Sequence, residues 1–435
     1  MQSKYLNDKY GKAFLVGGSV LIWLCIFWLF KNYGYTQTWE LWKVPTESPQ
    51  FSDFRLIPGS AETFRMGIEP SVRNPGDPHK RKFNYPTFWR LFFYTGITQA
   101  DTIWISILMI MLFFAGVFLF PQKLTVSNAL WMLLIVFSPA SMLLYERGNV
   151  DLIVFFLCVA IVLATDYSAY TTAALLIVGT VVKLFPFFGV TVLFRGSRPK
   201  FIWLSAGCLL VLLIYMYVTW DSVSTSWNLT MRGKEISYGA NVFFYRYGQG
   251  LSQFFSQWFG DSQVDRILKV GPIMLASILV FIAGIAGVRN RELMTTSSER
   301  NLAAFRMGAS IYIGTFLLGN NWDYRLAFLI LVLPQLLEWT RSSIKKYRYA
   351  ALGSVFGVLA SCWHFVIWYS PFFNFFEGSK ELWFVFDEFL NWMLVAGFAY
   401  LLLASAADWL KDGLQRIFEL RWQISHEYPY TPRIV

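Results

Sequence analysis

The sequence contains few charged residues and is rich in hydrophobic ones. Asp, Glu, Lys and Arg make up 15% of the 435 residues, hydrophobic residues make up 56%, and the mean hydropathy is +0.45. A soluble globular protein carries about 25% charged residues. This deficit excludes a secreted enzyme, a single-pass receptor and a disordered chain, and it indicates a polytopic membrane protein. At roughly 20 apolar residues per crossing, the chain is long enough for on the order of a dozen spans.

Cysteine and the common nucleotide and hydrolase motifs are also scarce or missing. The chain has no P-loop, GxGxxG, HExxH or GxSxG motif, so ATP-driven transport, metalloprotease and serine-hydrolase chemistry have no sequence support. The four cysteines lie far apart in apolar runs without CxxC spacing. We therefore expect no disulfide framework and no metal site, and we expect all four to be small buried hydrophobic residues: Cys25, Cys158, Cys208 and Cys362.

Basic residues outnumber acidic ones, since 37 Lys and Arg against 27 Asp and Glu give a net charge of +10. They form short clusters at the ends of apolar runs, where the positive-inside bias of membrane proteins explains them. We therefore interpret the charge as a signal of topology and expect a lipid bilayer, not nucleic acid, as the partner.

Long apolar runs recur along the chain and show no period-2 alternation of the β-barrel kind. Only helices and closed barrels satisfy the backbone within lipid, so these runs predict helices. The sequence thus predicts an all-α polytopic membrane protein whose residues 1–435 form a single integral membrane domain. The runs span approximately residues 13–30, 103–120, 127–145, 150–165, 170–194, 200–219, 270–288, 303–318, 325–340, 350–369 and 386–408.

The basic clusters near 195–200, 289–300, 341–348 and 411–416 should all be cytoplasmic. If the N-terminus is cytoplasmic, all of these clusters lie in the cytoplasm only if run 170–194 turns back on itself. Pro186 provides the break, because proline disfavours helix in the residue before it and removes a backbone donor.

With residues 171–183 rising and 187–195 returning, the chain has about twelve spanning or partly spanning segments. Two long loops, 31–101 and 220–268, then lie on the extracytoplasmic side. Any chemistry should therefore belong to that face.

Ionisable residues at the membrane edge are candidates for function, because burying charge near hydrocarbon is costly. Asp53 in the first outer loop is a candidate general base, the alternative being a helix cap or a solvated carboxylate. Glu146, Arg147 and Asp151 surround a helix–helix turn, where a mutually paired structural cluster and a ligand site are both open.

Lys183 and the segment Asn320–Arg325 provide cations on the same face. Lys and Arg converging on one cavity suit a phosphate group, although Arg325 and Asp323 could instead pair with each other and cap helices. His364, within a late apolar run, could orient a hydroxyl or a phosphate or could be a satisfied core histidine.

Two of these segments together resemble the signature of glycosyltransferase family 87. The residues Arg147-Gly148-Asn149-Val150-Asp151-Leu152, followed by Val182-Lys183-Leu184-Phe185-Pro186, are similar to the family's paired GQ-x-N and IK-x-x-P motifs. The first outer loop, with Asp53, a Gly-x-x-Pro stretch at 67–70 and Tyr85-Pro86, resembles the acidic loop of that family. Tyr238-Gly239-Ala240-Asn241 stands where the family often has GNQS.

This family consists of polyprenol-phosphate-mannose-dependent α-mannosyltransferases with the GT-C membrane fold. The resemblance implies an inverting transferase that needs no metal or other cofactor and works in the plasma (inner) membrane, with its active site facing the extracytoplasmic side. Its partners would be a polyprenyl-phosphate-linked sugar donor, with mannose as the sugar that the resemblance implies, and a lipid-linked or cell-envelope glycan acceptor.

The resemblance also implies roles for individual residues. Asp53 would be the general base on the acceptor hydroxyl. Lys183 and Arg325 would hold the lipid phosphate, with Arg147 in support. The substrate-binding residues would be Tyr85, Asn149, Asn241, Asp323 and His364.

Two other interpretations stay open at this point. A transporter or flippase for an amphipathic substrate would use the same cations as a clamp, but it would need ionisable groups near the midplane. A structural envelope-assembly protein would tolerate replacement of Asp53, Lys183 and Arg325.

Overall fold

The computed structural model describes residues 2–230, 232–290, 298–369 and 378–414. The α-helices are α1 (Gln2–Tyr33), α2 (Tyr35–Leu41), α3 (Ser52–Arg65), α4 (Thr102–Leu119), α5 (Val126–Val136), α6 (Pro139–Arg147), α7 (Asp151–Ala164), α8 (Ala169–Val182), α9 (Arg198–Val218), α10 (Trp220–Leu229), α11 (Val242–Arg246), α12 (Gly248–Phe255), α13 (Asp261–Val288), α14 (Glu299–Leu317), α15 (Leu333–Trp339), α16 (Lys345–Trp368) and α17 (Ser379–Ala404). The 3-10 helices span Thr87–Tyr94, Gln99–Asp101, Phe185–Arg195 and Asp323–Val332, and the two short strands are β1 (Ser237–Tyr238) and β2 (Asn321–Trp322).

Six of these helices are long and apolar enough to cross a membrane. They are the apolar part of α1 together with α4, α9, α13, α16 and α17. On α9, Cys208 alone is buried, while large apolar side chains such as Trp203 and Leu210 are exposed. Such a surface requires lipid to cover it, so the chain is a multi-pass, all-α membrane protein.

Helices α5 and α6 form a seventh candidate span that is bent by 53°. The bend lies at Ser138 and Pro139, where Pro139 occupies the first turn of α6. Proline cannot continue the hydrogen-bond ladder of the preceding helix, but it is well suited to begin a new one. The apolar run 127–145 therefore becomes two short helices.

The turn expected at Pro186 is present, and it produces a helical hairpin. Helix α8 ends at Val182, Lys183 is extended, and the 3-10 helix Phe185–Arg195 returns along α8. A 3-10 helix rises about 2.0 Å per residue against about 1.5 Å for an α-helix, so eleven residues nearly match the fourteen of α8. Arg195 consequently donates to the Thr165 carbonyl at 3.0 Å, just before α8 begins.

The bundle has two chemically different ends. At one end, which we call the basic end, Asp166 pairs with Arg195 at 3.0 Å and with Arg300 at 2.6 Å. At the other, which we call the site end, three connections meet: 147–151, 183–185 and 318–323. Strands β1 and β2 pair antiparallel there and join the chain after α10 to the start of the 3-10 helix Asp323–Val332.

The count of about twelve spans stays a prediction, because only six helices, or seven spans with the bent pair, are long and apolar enough to cross a membrane in the part of the chain that the structure describes. The expectation that all four cysteines are buried is wrong for Cys25, which is exposed on α1, while Cys158, Cys208 and Cys362 are buried. The part of α1 around Cys25 is apolar on every side, so its composition does not reveal which face packs and which face meets lipid.

Candidate functional site

Asp53 and Asn149 meet at the site end of the bundle. The Asp53 Oδ2 atom accepts a hydrogen bond of 2.7 Å from Asn149 Nδ2, although 96 residues separate them. Asp53 lies in the first turn of α3 without capping it, since the residue at the cap is Phe51 and no side chain caps the helix. The helix-cap alternative is therefore wrong for Asp53.

The turn that carries Asn149 depends on a glycine. Gly148 ends α6 with φ of 55°, in the left-handed region that favours glycine. A Cβ atom there would lie 2.9 Å from both Phe51 Cβ and Ser106 Oγ, so the turn also needs a residue without a side chain. Asn149 Oδ1 then accepts from the Asp151 backbone amide at 3.0 Å, which fixes the orientation of the Asn149 amide.

Asp151 joins the two cations predicted to bind phosphate. Its fully buried carboxylate accepts from Lys183 Nζ through Oδ1 and from Arg325 Nε, at 3.2 Å, through Oδ2. Lys183 also approaches Asn149 Oδ1 at 3.4 Å. Arg325 does not pair with Asp323, so the alternative of a local Asp323–Arg325 pair is wrong.

Both cations keep donors that no contact in the described part of the chain uses. Arg325 Nε bonds Asp151 and Nη1 bonds Asn321, which leaves Nη2. Lys183 has three donors and uses two, on Asp151 and Asn149. The guanidinium of Arg325 and the ammonium of Lys183 lie 5.3 and 5.8 Å from the centre of the Phe185 ring, which forms an apolar base beneath them.

Arg147 is engaged with the first loop and with its own helix. It pairs with Glu47 at 2.9 Å and with Glu146 at 3.4 Å, and it contacts the Ser52 hydroxyl at 3.4 Å. Glu146 is fully buried and accepts from the Glu47 backbone amide at 3.0 Å. The cluster expected around the turn is therefore partly structural, and it anchors residues 47–52 beside Asp53.

Other residues of the first loop lie close to Lys183, to the end of α8 and to Asp53. Tyr85 is buried, and its ring centre lies 5.7 Å from Lys183 Nζ. Trp89 donates to the Val182 carbonyl at 3.0 Å, which holds the loop against the end of α8. Arg81 lies 3.5 Å from the Asp53 carboxylate and is itself held by the buried Asp77.

The surroundings of Asp53 control its protonation. Burial raises the pKa of the Asp53 carboxyl above its ordinary value. The positive charge of Arg147, the hydrogen bond from Asn149 and the charge of Arg81 act in the opposite direction. A carboxyl with a raised pKa is a better proton acceptor when it is ionised, as general base catalysis requires.

Three predicted residues lie away from this centre. Asn241 binds the Lys269 carbonyl at 3.1 Å through Nδ2 and packs against Gly319. Asp323 is buried, and its backbone amide donates to the Ile236 carbonyl at 3.2 Å. His364 accepts from the Trp383 indole at 3.1 Å and lies 3.4 Å from Asp387. Among the described residues, no hydrogen bond or ion pair joins these three side chains to Asp53, Lys183 or Arg325.

A second group of buried acids was missed by the sequence analysis. Asp387 and Glu388 lie within α17, 6% and 2% exposed, and both interact electrostatically with Asp323. Neither oxygen of Glu388 has a hydrogen-bond partner in the described part of the chain. Two adjacent carboxylates at the start of apolar run 386–408 were the available signal, because ionisable residues in such runs are rarely incidental.

No family model, curated protein or solved structure matches this chain.

Proposed function

We propose that the protein is a membrane glycosyltransferase of the family 87 type, with the GT-C fold that this family implies. It transfers a sugar, mannose in the first instance, from a polyprenyl-monophosphate carrier to a lipid-linked or cell-envelope glycan. The single observation that carries this proposal is the Asn149 side chain, whose nitrogen binds Asp53 at 2.7 Å and whose oxygen faces Lys183 at 3.4 Å. A proton acceptor and a phosphate-binding cation thus lie at opposite ends of one amide group.

In the proposed reaction, Asp53 removes the proton from an acceptor hydroxyl. The acceptor oxygen then forms a bond to the anomeric carbon as the bond from that carbon to the phosphate oxygen breaks, and the configuration inverts. The electron pair of the broken bond leaves with polyprenyl phosphate. Holding both reactants in line supplies much of the rate acceleration, and the base contributes about 10²–10⁴-fold.

The leaving phosphate gains a negative charge, which Lys183 and Arg325 stabilise. Their unused donors, Nη2 of Arg325 and the third Nζ donor of Lys183, are the ones that the phosphate oxygens would take. Asp151 keeps the two cations together before the lipid binds. Such preorganised charge in a site of low dielectric costs no rearrangement during the reaction.

The site end faces the extracytoplasmic side in this proposal. Arg195 and Arg300 lie at the opposite end, and the positive-inside bias assigns that end to the cytoplasm. The structure offers up to seven candidate spans. Their number becomes about twelve if five further segments also cross the membrane fully or in part: α7, α8, Phe185–Arg195, α14 and Asp323–Trp339. The family resemblance implies that the membrane is the plasma (inner) membrane.

The direct test is release of polyprenyl phosphate from a labelled donor. Purified protein in nanodiscs is incubated with short-chain polyprenyl-phosphate mannose, glucose or arabinose and extracted envelope glycans, with and without EDTA, and products are measured by mass spectrometry. We expect sugar transfer that survives EDTA and is lost in Asp53→Asn, whereas Asp101→Asn, at an exposed carboxylate in the 3-10 helix Gln99–Asp101, retains it. Full activity of Asp53→Asn would refute the proposed base.

A second candidate function, transport of a polyprenyl-linked or amphipathic substrate, has one observation in its favour. Asp387 and Glu388 are buried carboxylates inside a candidate membrane span, as in many ion-coupled transporters. Saturable binding of the donor lipids without sugar release, together with movement of the lipid across a proteoliposome bilayer, would favour this candidate.

A further inference from the structure

A buried arginine lies within α14, at the basic end of the bundle. Arg306 is 5% exposed, and residues 301–316 around it are all buried. Its Nη2 atom donates to the Ser405 carbonyl at 2.5 Å, and its guanidinium lies 5.8 Å from the centre of the Phe194 ring. Its Nε atom is buried without a hydrogen-bond partner, and Arg306 forms no ion pair with a carboxylate in the part of the chain that the structure describes.

The charge of Arg306 is only partly compensated by the protein. Burying a charge without a partner is costly. Ser405 follows the last residue of α17, and the C-terminal end of a helix carries roughly half an elementary negative charge. Membrane topology gives no reason for a buried arginine, because the positive-inside bias concerns basic residues in loops. Arg306 therefore lacks a full counter-charge.

Two further cations lie near Arg306. Arg195 and Lys411 both interact with it electrostatically. Two carboxylates are also in range, Glu299 for Arg306 and Asp408 for Lys411. Neither forms an ion pair with its cation among the described residues. Since Arg195 already shares Asp166 with a second arginine, positive charge exceeds negative charge around Arg306.

Aromatic rings connect Arg306 to the helical segment 408–414, which carries Lys411. Phe194, the ring beside the guanidinium, packs against Phe201 with ring centres 5.0 Å apart. Phe201 packs in turn against Trp409 at 5.4 Å. Arg306 and the segment 408–414 therefore border one aromatic cluster.

The first turn of α9 adds exposed cations beside this cluster. Arg198 and Lys200 are exposed there, and neither forms an ion pair in the described structure. Ile202 and Trp203 follow with exposures of 49% and 78%, and they belong to the apolar surface of α9 that lipid covers. The cations consequently lie where this lipid-facing surface begins, which is the level of the lipid head groups.

We propose that this cluster binds an anionic phospholipid of the leaflet at the basic end, with the phosphate held by Arg306 and Lys411 and with Arg198 at the rim. Arginine forms bidentate hydrogen bonds with phosphate, and lysine supplies a compact charge. Basic pockets between membrane helices on the cytoplasmic side commonly bind anionic head groups. A lipid fits better than a soluble phosphate, because the cations adjoin both an aromatic cluster and the lipid-facing side of α9. This site is independent of the proposed sugar transfer, which belongs to the other end of the bundle.

Lipid titration followed by native mass spectrometry tests the proposal. Purified protein in detergent is titrated with phosphatidylglycerol, with phosphatidylcholine of the same acyl chains and with water-soluble glycerol phosphate. We expect phosphatidylglycerol to bind most tightly and to raise the thermal unfolding temperature, because binding to the folded state alone stabilises it. Glycerol phosphate should bind weakly, because it cannot use the lipid-facing surface.

Matched variants locate the binding site. Arg198→Gln combined with Lys411→Gln removes two cations and should lower the affinity for phosphatidylglycerol roughly tenfold, which corresponds to about 1.4 kcal/mol. Arg341→Gln combined with Lys345→Gln removes the same charge from exposed positions just before and at the start of α16, and it should leave the affinity unchanged. Arg306→Gln should remove the preference for phosphatidylglycerol over phosphatidylcholine, and Arg306→Lys, which keeps the charge, should retain part of it.

Equal affinities for the two phospholipids would overturn the proposal. So would equal losses in the two double variants, because the cluster would then contribute only to the general positive charge of this end. Glycerol phosphate that binds as tightly as phosphatidylglycerol would overturn the lipid as the occupant and indicate a soluble phosphate. The double variants keep the test decisive if Arg306→Gln fails to fold, since Arg198 and Lys411 are not enclosed by the bundle as Arg306 is.

Discussion

The carboxylate of Asp53 accepts a 2.7 Å hydrogen bond from the side chain of Asn149, across 96 residues of sequence. This contact connects the first turn of α3 to the turn between α6 and α7. Since the oxygen of the same amide faces Lys183, Asn149 links the carboxylate proposed as the base to one of the cations proposed to bind phosphate. One side chain therefore aligns the two halves of the proposed reaction.

The first prediction concerns this alignment. Replacing Asn149→Ala removes a hydrogen bond to a charged group, an interaction worth about 1.5–3 kcal/mol, so we expect turnover to fall roughly 10–100-fold. Affinity for polyprenyl phosphate should change much less, because Asp151 still holds Lys183 and Arg325. Turnover is measured with the labelled donor, and affinity by titration with the sugar-free lipid phosphate.

Asn128→Ala provides the control for this variant. Asn128 is a buried asparagine in the first turn of α5, and its Oδ1 has no hydrogen-bond partner in the described structure. Its replacement should leave turnover unchanged. Equal losses of turnover and of lipid-phosphate affinity in Asn149→Ala would contradict the aligning role, since they would indicate that the structure of the whole site had been lost.

The second prediction concerns the pH dependence of transfer. The base must be deprotonated, so activity falls as the pH drops through the pKa of Asp53, which burial raises above its ordinary value. The positive charge of Arg147 lowers this pKa, and Arg147→Gln removes that charge. The pKa should then rise, and the acidic limb of the kcat/KM profile should move to higher pH.

Two variants separate this electrostatic effect from a structural one. Arg147→Lys keeps the charge and should leave the acidic limb near its original position, even if the contacts with Glu47 and Glu146 weaken. Arg195→Gln removes an arginine at the basic end of the bundle, where it pairs with Asp166, and should not move the limb. An acidic limb in Arg147→Gln that stays in place or moves to lower pH would contradict the prediction.

The sequence predicted that Asp53, Lys183 and Arg325 lie on one face, and the structure brings them to one end of the bundle, but the sequence did not show which side chains contact each other. Pro186 and the basic clusters were enough to predict the turn at Lys183, because both signals are local. The partner of Arg325 was not predictable in this way. Asp323 lies two residues away, yet the ion pair forms with Asp151, which is 174 residues distant. Short-range spacing cannot choose between such partners, because helix packing decides which side chains face each other.

The third prediction concerns the buried centre formed by Asp151, Lys183 and Arg325. Asp151→Asn leaves two buried cations without their shared anion, and removal of one member of a buried ion pair costs about 3–5 kcal/mol. We expect a marked loss of thermal stability, and partial recovery when polyprenyl phosphate supplies the missing negative charge. Thermal unfolding in detergent, with and without the lipid phosphate, measures both effects.

A double variant checks the cause of this loss. Asp151→Asn combined with Lys183→Gln removes one cation as well, so it should be more stable than Asp151→Asn alone and should no longer recover fully with the lipid. Asp261→Asn, in the exposed first turn of α13, is the control for the loss of a carboxylate. A double variant that is less stable than Asp151→Asn would mean that like-charge repulsion is not the reason for the loss.

The last prediction concerns Glu388, whose two oxygens lack hydrogen-bond partners in the described part of the chain. A buried carboxylate without a partner lowers stability, so Glu388→Gln should raise the thermal unfolding temperature. In the transferase proposal Glu388 contacts neither Asp53 nor Lys183, and sugar release should stay within a few-fold of the original rate. Glu338→Gln, on α15 towards the basic end of the bundle, is the matched control substitution.

The same variant discriminates between the two candidate functions. A transporter that couples lipid movement to protons or cations needs an ionisable group within the membrane. Suppose that the unmodified protein releases no sugar and that Glu388→Gln no longer moves labelled lipid across proteoliposome membranes. These two results together would show that the carboxylate of Glu388 is retained for transport. Unchanged lipid movement together with sugar release would assign the chemistry to Asp53, and Glu388 would then be a residue whose replacement stabilises the fold without affecting the reaction.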